Sequence, residues 1–451
     1  MGFGTVRTRR TTTVSLPTTG GEAPLPAPGP RVPLSPFDTR WVTLPPHYHV
    51  FLYPASSPAI TFPDIVRSLK SSLAEVLPAF HPLAGELTYS PESRTMAIVC
   101  GADAHVAFVE AETDLEFKRL AEDAVHDVAA FQQLVPDILR ETLPAPVLAV
   151  QVTEFVGGSG GGGVAVGVAM NHVALDGRGF FQFMETWAAV AKGTVSARKQ
   201  DPPALHDRSL LAFEYDDDQV GVYLQHVAPD LPKMVQDDHP PPLGCRTFTF
   251  TASALRQLKQ QLATAAAGTK PSTFAALAAH GWVSIAKCRG LTDGAPVFAA
   301  FPADCRALLS PPVPDGYTGN CVTTCLVVLS GEELTGPDGL TRAFLSIMKA
   351  IEEVKGDPLA HWRKWFVKVE DITRGHPMVI LTGSPRLPIF GVDFGFGRPT
   401  RSELASIHQD NQVVMFEGRD VGSVQVSVAI TADWMPAFQE EIQKNGPFNQ
   451  R

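Results

Sequence analysis

The run "VAVGVAM" (Val164–Met170) constrains this chain more than any other stretch. Seven residues without a polar side chain read as a buried strand, far too short to cross a membrane. Directly behind it stands "NHVALDGRGF", which places Asn171, His172, Asp176, Gly177, Arg178 and Gly179 within nine residues. A buried strand ordinarily closes on a plain turn. Here it would carry an imidazole inward, and a buried imidazole needs partners for both ring nitrogens. Two readings stand side by side. In one, His172 is a core histidine held by backbone carbonyls, and Asp176 caps the helix that follows. In the other, the turn presents His172 as a base. A metal centre would need a third ligand, and the local sequence offers none.

A His four residues before an Asp carries little information by itself in a chain with 13 histidines. The sequence contains its own control. "HVAPD" spaces His226 and Asp230 identically, but in a Pro-interrupted acidic region with no strand leading in, so it reads as the chance match. The distinguishing feature of His172 is the strand in front of it and the glycines behind.

At 451 residues the chain exceeds the size at which one core keeps growing, so two domains are expected. A net charge of -10 argues against general nucleic-acid binding, though a few local cations suffice for an anionic small ligand. No apolar run is long enough to span a membrane, and "MGFGTVRTRRTTTV" lacks the apolar segment of a secretory signal. Val6 stands where a myristoylation motif needs Ser or Thr. Six scattered cysteines without metal-type spacing read as buried free thiols of a cytoplasmic protein.

Along the chain, "PLPAPGPRVPLSP" is expected to run extended over the surface. Residues 62–80 space Ile65, Leu69, Leu73 and Leu77 as an amphipathic helix with Asp64 at its start. "HVFLYP", "TMAIVC" and "HVAFVE" read as strands, and "DILRETLPAPVLAVQVTEF" as a helix end, a Pro break and a strand. "GGSGGGG" (157–163) reads as a long hairpin loop rather than a phosphate cradle, because a strand follows it. Later strands are expected at "CRTFTFT", "APVFAAFPADC", "CVTTCLVVLS", "PMVILTGSP" and "GSVQVSVAIT", with helices at 180–191, 252–263, 272–289 and 436–445. The elements mix without a strict βαβ rhythm, which implies an α/β protein of two mixed-sheet domains. The boundaries fall at 1–195 for the first, 196–222 for a polar, Pro-bearing crossover and 223–451 for the second.

A second constellation, "LPIFGVDFGFGRP", sets Asp393, Gly395, Phe396 and Gly397 in a glycine-rich turn, and a third, "FPADCRALL", puts Arg306 at a strand end. Together with His172–Gly177 these resemble the plant BAHD acyltransferases, whose motifs are H-x-x-x-D-G at mid-chain and D-F-G-W-G near the C-terminus. "LKSSLAEVLPAFHPLAGEL" and "YTGNC" (317–321) are similar to further family segments, the latter to the branch acting on flavonoid and phenolic glycosides. Two departures stand out: Phe396 replaces the family's Trp, and Thr318 replaces a Phe of the branch motif.

The resemblance implies a chloramphenicol-acetyltransferase-like fold, two domains facing each other across a solvent channel with His172 reachable from both ends. It implies acyl-CoA, malonyl-CoA above all, as co-substrate, a small phenolic glycoside as acceptor, a monomer, and no tightly bound cofactor or metal. His172 is the expected general base, since an imidazole takes a hydroxyl proton without being permanently charged. Asp176 is either its orienting carboxylate or, as the family suggests, turned away to Arg306. Gly177, Asp393, Gly395, Phe396 and Gly397 are expected to be structural. Lys270, Ser272, Thr273, Ser384 and Arg386 are the expected CoA contacts, each also readable as helix capping or surface charge. Arg178 is expected to meet a malonyl carboxylate, or else to face solvent. An aromatic acyl donor, a CoA-ester-binding member of weak activity, and a hydrolase using His172 to activate water are the alternatives.

Overall fold

The computed structural model describes residues 4–16, 30–55, 60–138, 142–157, 162–196, 202–211, 217–231, 242–266, 268–359, 375–406 and 409–444. It is a two-domain α/β fold built on two six-stranded sheets and a small four-stranded one. The first sheet runs Val6–Ser15, His105–Thr113, Leu148–Phe155, Gly163–Met170, His47–Pro54 and Arg401–Leu404. The second runs Leu243–Phe250, Val424–Thr431, Gln412–Glu417, Met378–Gly383, Pro296–Asp304 and Val322–Ser330. Both are mixed: 105–113 pairs in parallel with 148–155, and 378–383 pairs in parallel with both 296–304 and 412–417. The two six-stranded sheets pack mainly into separate hydrophobic cores, with Val414, Phe416 and Ala429 of the second reaching the core of the first.

The strand Gly163–Met170 is buried at every residue, between 148–155 and 47–54. Both of its pairings are antiparallel, so 148–155 and 163–170 form the hairpin expected around the glycine run, of which 158–161 lie outside the described residues. Gly167 has a packing cause: a Cβ there would come within 1.9 Å of the Leu134 carbonyl oxygen. The helix Phe62–Val76 starts on a capping box between Thr61 and Asp64 and buries Ile65, Leu69 and Leu73. It stops short of the expected Phe80 because Pro78 has no N–H to continue the helical hydrogen bonds, although Leu77 before it is still helical.

Other expectations differ in detail. Residues 24–29 of the Pro-rich segment lie outside the described residues; within the rest of it Arg31–Pro33 is a strand, and Pro36 opens a helical turn, Pro36–Thr39. Asp137 and Ile138 are not helical, since the helix there, Val128–Gln133, has already ended. His226 and Asp230 are both exposed, as befits a chance spacing. The strand Arg401–Leu404 comes from the second half of the chain yet pairs with His47–Pro54 in the first sheet. Among the described residues, no helix is long and apolar enough to cross a membrane.

Candidate active site

His172 sits two residues past the end of the buried strand, on the turn that leads into the helix Gly177–Ala191. Its ring lies flat on the Trp41 indole, centroids 3.9 Å apart and 6° from parallel. The Arg40 guanidinium covers the same indole at 4.7 Å. His47 stands edge-on to His172 at 6.3 Å. The His172 side chain is half-buried, with its Nδ1 enclosed. Burial pushes the imidazole below its ordinary value; hydrogen bonding to its own backbone, then Asp176 and Asn320, oppose that, and Arg40 adds to it. The ring is therefore neutral at pH 7 and able to accept a proton.

Asp176 does not orient His172. One oxygen accepts the Gly179 N–H at 3.1 Å as the N-cap of the following helix, and the other accepts the Cys321 N–H at 3.2 Å. Both face Arg306, whose Nη2 lies 3.0 Å from Oδ1 and 2.9 Å from Oδ2. Arg306 also donates to the Gly319 carbonyl at 2.8 Å. A second buried ion pair flanks the same turn. Arg208 Nε donates to Asp38 at 3.0 Å while its Nη2 donates to the Ala174 carbonyl at 2.8 Å. Asn320 ties the second pair to the turn, its Nδ2 donating to Asp38 and to the His172 carbonyl, each at 2.9 Å. Gly179 permits this closeness, because a Cβ there would sit 2.0 Å from the Thr318 carbonyl oxygen. The turn carrying His172 is thus held from behind by residues of both halves of the chain.

Arg178 takes no part in the Asp176 pair, although it shares Asp304 with Arg306. Its Nη2 donates to the Asp315 carboxylate at 3.0 Å, and its Nη1 lies 4.0 Å from Asp304. Gly177, the first residue of the helix, packs against Leu387.

Asp393, Gly395, Phe396 and Gly397 lie at the opposite end of that helix. Asp393 Oδ1 accepts the N–H groups of Gly395 and Gly397 at 2.9 and 3.0 Å, which needs the φ values of +100° and +106° those glycines adopt. Its Oδ2 accepts Lys192 Nζ at 2.6 Å, from the residue that ends the helix. Burial works against ionisation here, but these donors outweigh it and hold the carboxyl below its usual range. Phe396 is buried against Tyr53 (4.9 Å, edge-on) and Phe394. Fifteen helical residues at about 1.5 Å each put the loop about 22 Å along the axis from the His172 turn. Phe396→Trp should therefore change kcat by less than about twofold and stability by no more than about 1–3 kcal/mol, the cost of overpacking. Steady-state kinetics beside thermal melts check this, and a tenfold change in kcat would contradict it.

Lys270 is exposed and Thr273 half-buried, while Ser272 caps the helix Thr273–Cys288 by accepting the Ala275 N–H at 3.1 Å. Ser384 accepts the Arg386 N–H at 3.2 Å in the turn after 378–383, and Arg386 is exposed. Neither Lys270 nor Arg386 is ion-paired among the described residues. No hydrogen bond joins these five residues to His172.

A model of the Transferase family matches residues 22–445. The chain belongs to this family, the BAHD acyltransferases. It is an acyl-CoA-dependent acyltransferase. It is 27% identical over 439 residues to phenolic glucoside malonyltransferase 1 of Arabidopsis thaliana, covering 92% of this chain and 93% of that one. It is 30% identical over 404 residues to the hydroxycinnamoyl-CoA:5-hydroxyanthranilate N-hydroxycinnamoyltransferase of Avena sativa, covering 83% and 86%. In three dimensions it is similar to vinorine synthase, with a TM-score of 0.77 at 19% identity over 98% of each chain.

In this BAHD acyltransferase the residues that surround the candidate base most closely were not singled out by sequence reasoning. Asp38 carried one usable signal, the "SPFD" capping pattern at Ser35–Asp38. Trp41, His47 and Arg208 carried none, since each meets the His172 turn only through tertiary packing. Among the described residues no cluster of His, Cys, Asp and Glu could hold a metal ion.

Proposed function

We propose that the chain is an O-acyltransferase that moves a malonyl group from CoA to a hydroxyl of a phenolic or flavonoid glycoside, with His172 as general base. The observation that carries this is the neutral, half-buried imidazole on a turn fixed by two ion pairs, with both Asp176 oxygens committed elsewhere. His172 takes the acceptor's hydroxyl proton as that oxygen attacks the thioester carbonyl. The tetrahedral intermediate collapses, the carbon–sulfur bond breaks, and His172 returns the proton to the CoA sulfur. No acyl-enzyme forms. Lys270, Ser272, Thr273, Ser384 and Arg386 serve CoA. Arg178 supports a malonyl donor: its partner Asp315 is 84% exposed, so that pair is worth about 0–1 kcal/mol and a malonyl carboxylate can displace it. All six cysteines are free and buried, which suits the reducing cytosol where we place the enzyme.

A hydroxycinnamoyl donor is the second reading, favoured by the charge of Arg178 being already matched and by the 30% identity to a hydroxycinnamoyltransferase. Thiol release from malonyl-CoA and coumaroyl-CoA, each with and without a flavonoid glucoside, separates them. Acceptor-dependent release that disappears in His172→Ala supports the transferase. Arg178→Ala is expected to lower kcat/KM for malonyl-CoA about tenfold or more while sparing coumaroyl-CoA. An unchanged preference overturns the malonyl assignment. Acceptor-independent release would make the enzyme a thioesterase.

A further inference from the structure

Within the segment "YTGNC" (317–321), Gly319 and Cys321 serve the Asp176–Arg306 pair through their backbones. Asn320 stands between them and is wholly buried. Its Nδ2 faces three oxygens: Asp38 Oδ1 at 2.9 Å and the carbonyls of His172 and Val173 at 2.9 and 3.2 Å. A reversed carboxamide would set its own oxygen against all three, so the direction of the amide is fixed. Oδ1 is then the atom left for the ring, and it is enclosed, as is Nδ1 of His172. The Asn320 side chain hydrogen-bonds the imidazole in the sense that favours its protonated form. Only an acceptor acts in that sense, since a donated N–H would hold the ring neutral. The backbone of His172 itself acts in the same sense.

We propose that Asn320 is a positioning residue for His172. Its Oδ1 accepts the proton carried on Nδ1, alongside the His172 carbonyl, so that Nε2 keeps its lone pair for the acceptor hydroxyl. The inference rests on His172 being the base of the proposed reaction. With Asp176 turned away, the amide orients the ring as a carboxylate would, without adding a charge beside it. The other groups around the ring do not compete for that proton. Trp41 lies flat on its face, and His47 stands edge-on at 6.3 Å. Asp176 is bound to Arg306, Asp38 is bound to Arg208, and Arg40 sits over the Trp41 indole.

Imidazole NMR of histidine-¹⁵N-labelled protein tests this without substrate. His172 is expected as the Nδ1–H tautomer in the parent and as a mixture with the Nε2–H tautomer in Asn320→Ala. That variant should lose about 10–100-fold in kcat with KM for acyl-CoA within about twofold, since a wholly buried residue touches no substrate. The acid limb of its pH–rate profile should move to lower pH, because a ring that has lost an acceptor is harder to protonate. Asp38→Asn is the control for a purely structural role. It breaks the Arg208 pair and weakens the donor side of Asn320 but leaves Oδ1 in place. It should lower the melting temperature while His172 stays Nδ1–H. An Nε2–H tautomer in the parent overturns the proposal even if no variant folds. So does an unchanged tautomer in Asn320→Ala, or an equal displacement in Asp38→Asn. A parent inert toward every acyl-CoA would sink the functional reading, while the NMR still decides the role of Asn320.

Discussion

Lowering the pH from 7 to 5 is expected to cost the folded chain about 6 kcal/mol of stability through three buried histidines alone. Burial pushes His49 down to about 3, His206 to about 3 and His126 to about 4, each against an ordinary value of 6.5. The causes are local. His49 is fully enclosed with Nε2 2.7 Å from the Ser402 hydroxyl; His206 lies between the Ala79 carbonyl and Thr318; His126 lies beside Thr247, Glu403 and, across the pair, Arg401. In the window from 6.5 down to about 4 the unfolded chain binds these protons and the folded chain does not. The unfolded state therefore gains with every added proton, and stability falls as pH falls. At pH 5 each histidine contributes about 2 kcal/mol to that loss. The carboxyls of Glu185 and Glu417, raised by burial, act in the opposite sense, but Glu185 is exposed and Glu417 only half-buried, so solvent screens them. Urea titrations at pH 7, 6 and 5 measure the slope, and His126→Gln should remove about a third of it. Stability that stays level from pH 7 to 5 would show that these rings protonate in place.

What the sequence made legible was whatever announces itself over a few adjacent residues. The strand ending at Met170 read clearly because every residue is apolar, and the Asp393 loop because two of its glycines need positive φ. The helix Phe62–Val76 carried its own capping box. The strand Val6–Ser15 was missed because it is a polar edge, exposed at most positions and paired on one side only. Gln412–Glu417 and Arg401–Leu404 were missed for the opposite reason, being short and almost wholly buried, so that no alternation marks them. Gly339–Gly356 was missed despite its length. At the site, the base and its turn stood in the sequence. The residues that hold the turn, Asp38, Arg208 and Asn320, come from distant segments, and long-range ion pairs leave no periodic trace.

Removing one member of the Asp176–Arg306 pair should destabilise the protein by about 3–5 kcal/mol, and the two single substitutions should not be equal. Arg306→Met leaves a carboxylate at a site only 3% exposed, with the N–H groups of Gly179 and Cys321 as its remaining donors. Asp176→Asn is milder. It keeps an oxygen to cap the helix, and Arg306 retains the Gly319 carbonyl and Asp304, the latter 48% exposed and so able to share its charge with water. The double variant Asp176→Asn, Arg306→Met should recover part of the loss, because no unmatched charge remains buried. Denaturant titrations of the four proteins give that coupling directly. Kinetics on the same four decide what the pair is for. If Asp176 serves the fold, activity will follow the folded fraction, and Asp176→Asn will lose less than about tenfold in kcat once it is fully folded. If its charge serves the chemistry, kcat will fall by a hundredfold or more at unchanged stability, and the double variant will not restore it. The geometry favours the first outcome, since both Asp176 oxygens are held by Arg306, Gly179 and Cys321 and neither is left for the imidazole.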